Sequence, residues 1–494
     1  MEDANVPGQL RSKTMVGISW TMFSQISRQV TRLIIDIILA RFLAPDAYGL
    51  IGMVTVFTGF ALIFTDMGFG AALVQKKDAT EKHYNSIFWL NSLTGLVLTI
   101  LFIVGAPLIA SFYDQELLVP VTILIAFNFF IGSLGLIHKT LLRKMMDFRK
   151  LAIVELSALF IAGCIGVAMA LTGYGIWSLA WQSVIMTFLT TIFLWIVSTW
   201  RPRRIYDSGA VKELFAFSGN LLGFQAANYW LRNGDYLLIG RFLGEIALGI
   251  YTKSYMLMLV PLRLISSNIS QVMFPAFSVI QDDHKRIANI YLKITRTIAM
   301  ITFPLSLGLW SVADEFVAVV FGEQWLAMIP VLRYLCIVGM MQSIGTLNGN
   351  LYLSQGRTDL QFKVGMIIGV LGLIFIYFGL QFGIVGVAIA YTVFSIIVFF
   401  PSVGIAVNLI GLHVYDVVKN LFPLLIYAST MAAIVTGVGL ILPTDLIVWV
   451  QLVIKVLVGG LSYVGLILIF KPQAYSDILE LVLSQKRLKQ KGVT

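Results

Sequence analysis

Runs of about twenty apolar residues recur along the whole 494-residue chain, separated by short polar or Gly/Pro-containing breaks. About twenty residues of α-helix cross the hydrocarbon core of a bilayer. Backbone groups in lipid must bond within their own segment, and no alternating strand pattern appears, so the runs read as helices. Composition excludes a soluble alternative. The chain is 58% hydrophobic and 12% charged, with a mean hydropathy of +0.88, whereas average soluble domains are about 25% charged. Too little polar surface exists to cover so much apolar side chain. The expected fold class is an all-α integral membrane protein with no large soluble domain.

The breaks delimit fourteen expected spans: 15–43, 48–74, 84–112, 117–142, 149–172, 174–200, 212–243, 247–280, 288–320, 325–355, 358–381, 383–408, 417–441 and 445–470. Lys and Arg orient them. One set of connections holds Arg11/Lys13, Lys76/Lys77/Lys82, Lys139 to Lys150, Arg201 to Lys212, Lys285/Arg286/Lys293, Arg357/Lys363, Lys419 and the tail. The intervening connections, "APDA", "YDQE", "TGY", "GEI", "FGEQ", "QFG" and "PT", hold none. Of 35 basic residues, 25 thus fall on one side, and the alternation survives every span. The sequence therefore predicts cytoplasmic N- and C-termini and no nucleic-acid partner for the +10 net charge. No cleavage pattern follows the polar start, so the first span is expected to be retained. The tail, 471–494, has helical apolar spacing and a basic end, which suits the anionic inner leaflet.

A weak duplication runs through the chain. "ARFLAPDAYG" at Ala40 resembles "GRFLGEIALG" at Gly240, an offset of 200 that also relates Gln25 to Gln225 and Arg32 to Arg232. Pro120, Ser133, Gly135, Gly173 and Ala180 match Pro330, Ser343, Gly345, Gly383 and Ala390 at an offset of 210. Two six-helix bundles, 1–205 and 206–415, are expected as a parallel repeat. Helices 13 and 14 (416–470) lie outside it.

Charge inside the expected spans clusters in the first, second, seventh and eighth. Arg28, Arg32 and Asp36, four residues apart, form one helical stripe; Asp66, Arg232, Asp235, Lys253 and Arg263 complete the set. At roughly 2.5–3.5 kcal/mol per charge at mid-bilayer, the stripe alone would cost roughly 7–10 kcal/mol if it faced lipid. Ion pairs such as Arg32–Asp36 would absorb part of it, leaving Arg28, Lys253 and Arg263 without obvious acidic partners. In those four helices five bases exceed three acids. A positive surplus in low dielectric suits an anionic ligand, and the planar guanidinium suits phosphate. Trp20, Gln25, Gln29, Asn228, Tyr229, Trp230, Asn233, Tyr236 and Tyr255 are candidates for holding sugar, although aromatics also fill helix interfaces. Asp36, Asp66, Asp235 and Glu155 are candidates for coupling to Na+ or H+. Pro261 and Pro275 are expected to bend the eighth span. Cys164 and Cys336 read as buried small hydrophobes. The four histidines read as scattered at polar connections, so neither metal site nor other cofactor is expected.

"VMFPAFSVIQDD", "VVFGEQWLAMIPVLRYLCIVG", "ILARFLAPDAYGL" and "GYGIWSLAW" together resemble the Wzx-type polysaccharide flippases, the polysaccharide transporter family of the multidrug/oligosaccharidyl-lipid/polysaccharide (MOP) exporter superfamily, and colanic-acid exporters in particular. The resemblance implies a central cavity lined by the first, second, seventh and eighth helices. It implies an undecaprenyl-pyrophosphate-linked oligosaccharide as substrate, with Arg28, Arg32, Arg232 and Arg263 as its contacts and Lys253, Gln25, Asn228 and Tyr229 beside them. It also implies a bacterial inner-membrane setting, membrane lipids around the chain, and glycan polymerase and chain-length machinery as partners. Alternatives are a cation-coupled multidrug exporter, which would want an acidic cavity, and a glycan-assembly enzyme, for which no catalytic constellation appears.

Overall fold

The computed structural model describes residues 7–443 and 445–477, with side chains described from Gln25 onward except within 216–224 and 264–272. The tail expected over 471–494 therefore lies outside the described residues beyond Asp477, as does the Trp20 side chain. Among the described residues the secondary structure is helical and contains no strand. The chain divides into two compact units, Met1–Gly249 and Ile250–Thr494.

The first unit begins with α1 (Pro7–Phe42), α2 (Pro45–Asp66), α3 (Phe69–Gln75) and α4 (Glu81–Tyr113). It continues with α5 (Leu118–Lys144), α6 (Phe148–Leu171), α7 (Ile176–Val197) and most of α8 (Ser208–Pro261). Pro45 opens α2 at a position where its missing N–H goes unused. Asp147 caps α6, accepting from the Lys150 amide at 3.2 Å. The principal contacts are α4 on α5, α5 on α7, α6 on α7 and α1 on α6.

The second unit takes the end of α8, a π-helical turn at Leu262–Ser266, α9 (Ser267–Val279), α10 (His284–Ser311) and α11 (Ala313–Val320). Then come α12 (Met328–Gly345), α13 (Asn348–Ser354), α14 (Thr358–Leu380), α15 (Gly383–Asn408), α16 (Val414–Ile441) and α17 (Val448–Phe470). Its core gathers Phe277, Tyr291, Ile298, Leu347, Ala406, Val417 and Ala428 from α9, α10, α15, α16 and the α12–α13 junction. Pro261 does disturb its helix, since the π turn follows it directly.

Twelve helical stretches are long and apolar enough to cross a membrane, among the described residues. The second to sixth and the ninth to fourteenth expected spans each correspond to one of these stretches; α1, whose side chains are described only from Gln25, is not among them. The seventh and eighth expected spans meet within α8, where two helices join at a kink at Gly244 (φ 82°, ψ −176°) and together make one of the twelve stretches. A side chain would strain that conformation.

Two glycines matched by the repeat meet inside the first unit. A Cβ on Gly49 would lie 1.7 Å from the Glu245 carbonyl oxygen, and one on Gly249 would lie 1.9 Å from the Pro45 carbonyl oxygen. Each glycine packs against the residue four positions before its counterpart, so α2 and α8 touch backbone to backbone in a reciprocal contact. Hydrogen at Cα is the only substituent such an approach admits.

At the other end of α8, Asp207 accepts from the Gly209 amide at 2.8 Å and the Ala210 amide at 3.3 Å. Those bonds, Ala210 first and then Gly209, hold its carboxyl below the usual Asp range. A depressed folded-state pKa means the cap's stabilisation is complete above the ordinary Asp value of about 3.9 and is lost as pH falls through the lower folded value. Protection of the Gly209 and Ala210 amides from hydrogen exchange should fall off below that range. Asp207→Asn should keep the cap and remove this acid dependence.

Candidate functional site

The charged stripe of α1 lies opposite its lipid face. Ile26, Val30, Ile34, Ile38 and Phe42 are exposed, all near 40–50%, and at helical spacing they share one side. Arg28, Arg32 and Asp36 project from the other side, together with buried Ile35 and Leu39. Arg28 and Asp36 are partly buried, whereas Arg32 is exposed on that inward side.

Arg28 has the acidic partner that local spacing did not reveal: it forms an ion pair with Glu155 of α6. Lys139 of α5 reaches the other Glu155 oxygen at 2.7 Å. Glu155 is thus the shared counter-ion of two cations, and Arg28, which had no obvious acidic partner in the sequence, is paired. Lys139 lies near the end of α5 and Glu155 near the start of α6, so the pair forms beside the basic connection between them. With Arg32 one turn from Arg28, bases outnumber acids in this group. One carboxylate neutralises two cations only in part, so the group can still take an anion.

Asp66 ends α2, where Met67 (φ 48°) and Gly68 (φ 76°) turn the chain into α3. Its carboxylate accepts from the Gly70 amide at 2.8 Å, close to the Thr140 side chain. It is a capping group at a bend.

Tyr229 spends its hydroxyl on structure. It donates to the Val56 carbonyl at 2.8 Å, within an aromatic cluster where Phe60 and Trp230 sit 5.9 Å away, centroid to centroid. It ties α8 to α2. Tyr229→Phe should lower stability by about 0.5–1.5 kcal/mol, read as melting temperature. Asn233 likewise bonds back to the Tyr229 carbonyl at 2.9 Å. Gln25 and Asn228 are partly buried and Arg232 is exposed. Asp235 is buried, at 9%, and accepts from the Tyr236 amide at 2.9 Å.

Lys253 and Arg263 belong to the second unit. Lys253 is buried, at 5%. Arg263 is exposed in the π turn after Pro261. The same unit resolves two further basic residues. Lys455 of α17 meets Glu315 of α11 at 2.5 Å, both under 10% exposed, and Gly439 of α16 leaves room for the ammonium. Arg333 pairs with Asp314 at 2.7 Å and lies over Trp310.

Two smaller expectations are corrected. His138, expected at a polar connection, is fully buried, with Trp195 and Trp200 ring centroids at 4.7 and 5.3 Å. Cys164, expected buried, is exposed, on the side of α6 that also exposes Phe160 and Ile161. In a membrane helix an outward apolar position is as stable as an inward one. No group of three His, Cys, Asp or Glu among the described residues is placed to hold a metal.

Comparison with known proteins adds to this geometry. The family described as "Polysaccharide biosynthesis protein" matches residues 38–330. The chain is 31% identical to the teichuronic acid biosynthesis protein TuaB of Bacillus subtilis (strain 168), over 95% of this chain and 98% of that protein. It is 28% identical to the lipopolysaccharide biosynthesis protein WzxC of Escherichia coli (strain K12), over 78% and 80%. Among solved structures, the lipid II flippase MurJ in an inward closed conformation superposes with a TM-score of 0.72 at 18% identity, covering 94% of this chain and all of that one. The chain is a multi-pass membrane protein that belongs to the polysaccharide biosynthesis protein family and is built on the fold seen in the lipid II flippase.

Proposed function

We propose that this transporter flips a lipid-linked oligosaccharide, an undecaprenyl-pyrophosphate-linked repeat unit, from the cytoplasmic to the outer leaflet of a bacterial inner membrane. One observation carries the reading: the α1 stripe turns a surplus of guanidinium and ammonium groups away from its lipid face, around a single carboxylate. A partly buried positive surplus attracts a phosphorylated head, while the polyprenyl tail stays in lipid. The names of TuaB and WzxC place those relatives in the assembly of surface glycans, which supports the same cargo class.

In this proposal Arg28 and Arg32 meet the pyrophosphate, with Arg232, Arg263 and Lys253 as further cations and Gln25 and Asn228 as amides for sugar. The phosphate displaces Glu155 from Arg28, and Lys139 keeps Glu155 neutralised meanwhile. The two repeats, 1–205 and 206–415, supply alternating access. Asp36, Asp66, Asp235 and Glu155 are the candidates for a coupling Na+ or H+. Both termini are cytoplasmic on the Lys/Arg alternation. A glycan polymerase with its chain-length machinery would take the product.

The test is complementation of a strain lacking the gene. Loss of a flippase traps repeat units on the inner leaflet, whereas loss of a polymerase leaves single repeats outside. Single repeats outside, or uptake of cationic dyes restored by the chain, would replace this reading by the enzyme or the multidrug exporter.

A further inference from the structure

The second unit contains a cavity of about 420 Å³ between α10, α16 and the chain that follows α17. It opens where α10 and α16 begin and α17 has ended, the side with the basic connections. Asn420 of α16 clamps its wall by donating to the Leu292 carbonyl of α10 at 2.9 Å.

Its polar end is built around Arg296. One terminal nitrogen donates to Asp477 at 2.8 Å and the other to Gln473. The guanidinium is therefore held flat and oriented, yet its Nε is buried without a partner. Lys293 shares Asp477 at 3.5 Å. Lys419, one turn into α16, lines the cavity with its side chain exposed. Asp416, the acid in the wall, turns to the His413 amide at 2.9 Å and caps α16. Three cations thus stand against two carboxylates that already have partners. An anion completes such a group, and an arginine fixed by second contacts favours the tetrahedral oxygens of a phosphate.

The rest of the cavity is apolar. Pro423, Leu424 and Tyr427 continue its wall along α16, and Tyr427 stacks on Phe470 at 5.6 Å. From Asp416 to Tyr427 is about 16 Å along a helix, close to the reach of a headgroup, glycerol and the first methylenes. A soluble phosphate would leave that wall unused.

We propose that this cavity is a binding site for an anionic phospholipid of the surrounding leaflet, its phosphodiester on Arg296 and Lys419 and its upper chains on Leu424 and Tyr427. Basic pockets between transmembrane helices take such headgroups by the same physics.

The test uses the purified full chain in uncharged detergent, titrated with dioleoylphosphatidylglycerol, dioleoylphosphatidylcholine or inorganic phosphate. Native mass spectrometry and thermal melting are the readouts. The expected result is a retained phosphatidylglycerol adduct with a raised melting temperature, and neither effect from the other two. Lys419→Gln should cut phosphatidylglycerol occupancy about fivefold, and Arg296→Gln should cut it further. Lys419 is exposed, so its variant folds even if Arg296→Gln does not. Equal binding of phosphatidylcholine, stabilisation by inorganic phosphate alone, or wild-type occupancy in Lys419→Gln would each overturn the proposal.

Discussion

Arg28→Ala should lower surface glycan about tenfold or more at matched protein level. A charge-assisted hydrogen bond to phosphate is worth about 1.5–3 kcal/mol, which converts to about 10- to 150-fold in transport if it is made during the crossing. Two features make this a test of function rather than of folding. Arg28 is only partly buried, and Glu155 keeps Lys139 at 2.7 Å when Arg28 is gone, so no carboxylate is stranded. Glu155→Gln should do the opposite. It leaves Arg28 and Lys139 facing each other, with a stability loss of about 1–3 kcal/mol from unmet polar groups and less protein in the membrane. Arg28→Lys should fall between, because one ammonium replaces a planar fork. Normal export in Arg28→Ala would remove α1 from the substrate path.

The second large effect is steric. Gly49→Val or Gly249→Val should prevent accumulation of folded protein or lower its melting temperature by about 6–12 °C, from about 3 kcal/mol of overpacking at about 2–4 °C per kcal/mol. In each case the added carbon falls within 2 Å of a backbone oxygen, and a backbone cannot swing aside as a side chain can. The contact is reciprocal, so Gly49→Ala and Gly249→Ala should each act, and the pair should be less than additive because the first already parts the helices. Gly105→Ala, with nothing within 4 Å of its added carbon, is the control and should be neutral. A melting temperature unchanged in both valine variants would show that α2 and α8 do not approach this closely in the membrane.

Much of the protein was legible because its signals are periodic and local. An apolar run of membrane length, a helical stripe of charge and an alternation of basic connections are properties of neighbouring residues. They identify helices and a polar face whatever the packing. The stripe of α1 is a clear case. Its spacing predicted one face, and the structure shows that face turned from the exposed apolar side. Arg28, by contrast, looked unpaired because its partner lies more than a hundred positions away, on a helix whose rotation no local pattern encodes. The same distance hid Lys455–Glu315 and the Arg296–Asp477 clasp.

The sequence by itself therefore determined the class of protein, the helices and which face of α1 carries its charge, because hydropathy acts residue by residue along a helix. Only the tertiary structure decided which charges neutralise each other, which tyrosine is a strut and which glycines let α2 and α8 touch. Those outcomes depend on the rotation and depth of one helix against another, and in a membrane many rotations satisfy the same hydropathy until side chains interlock.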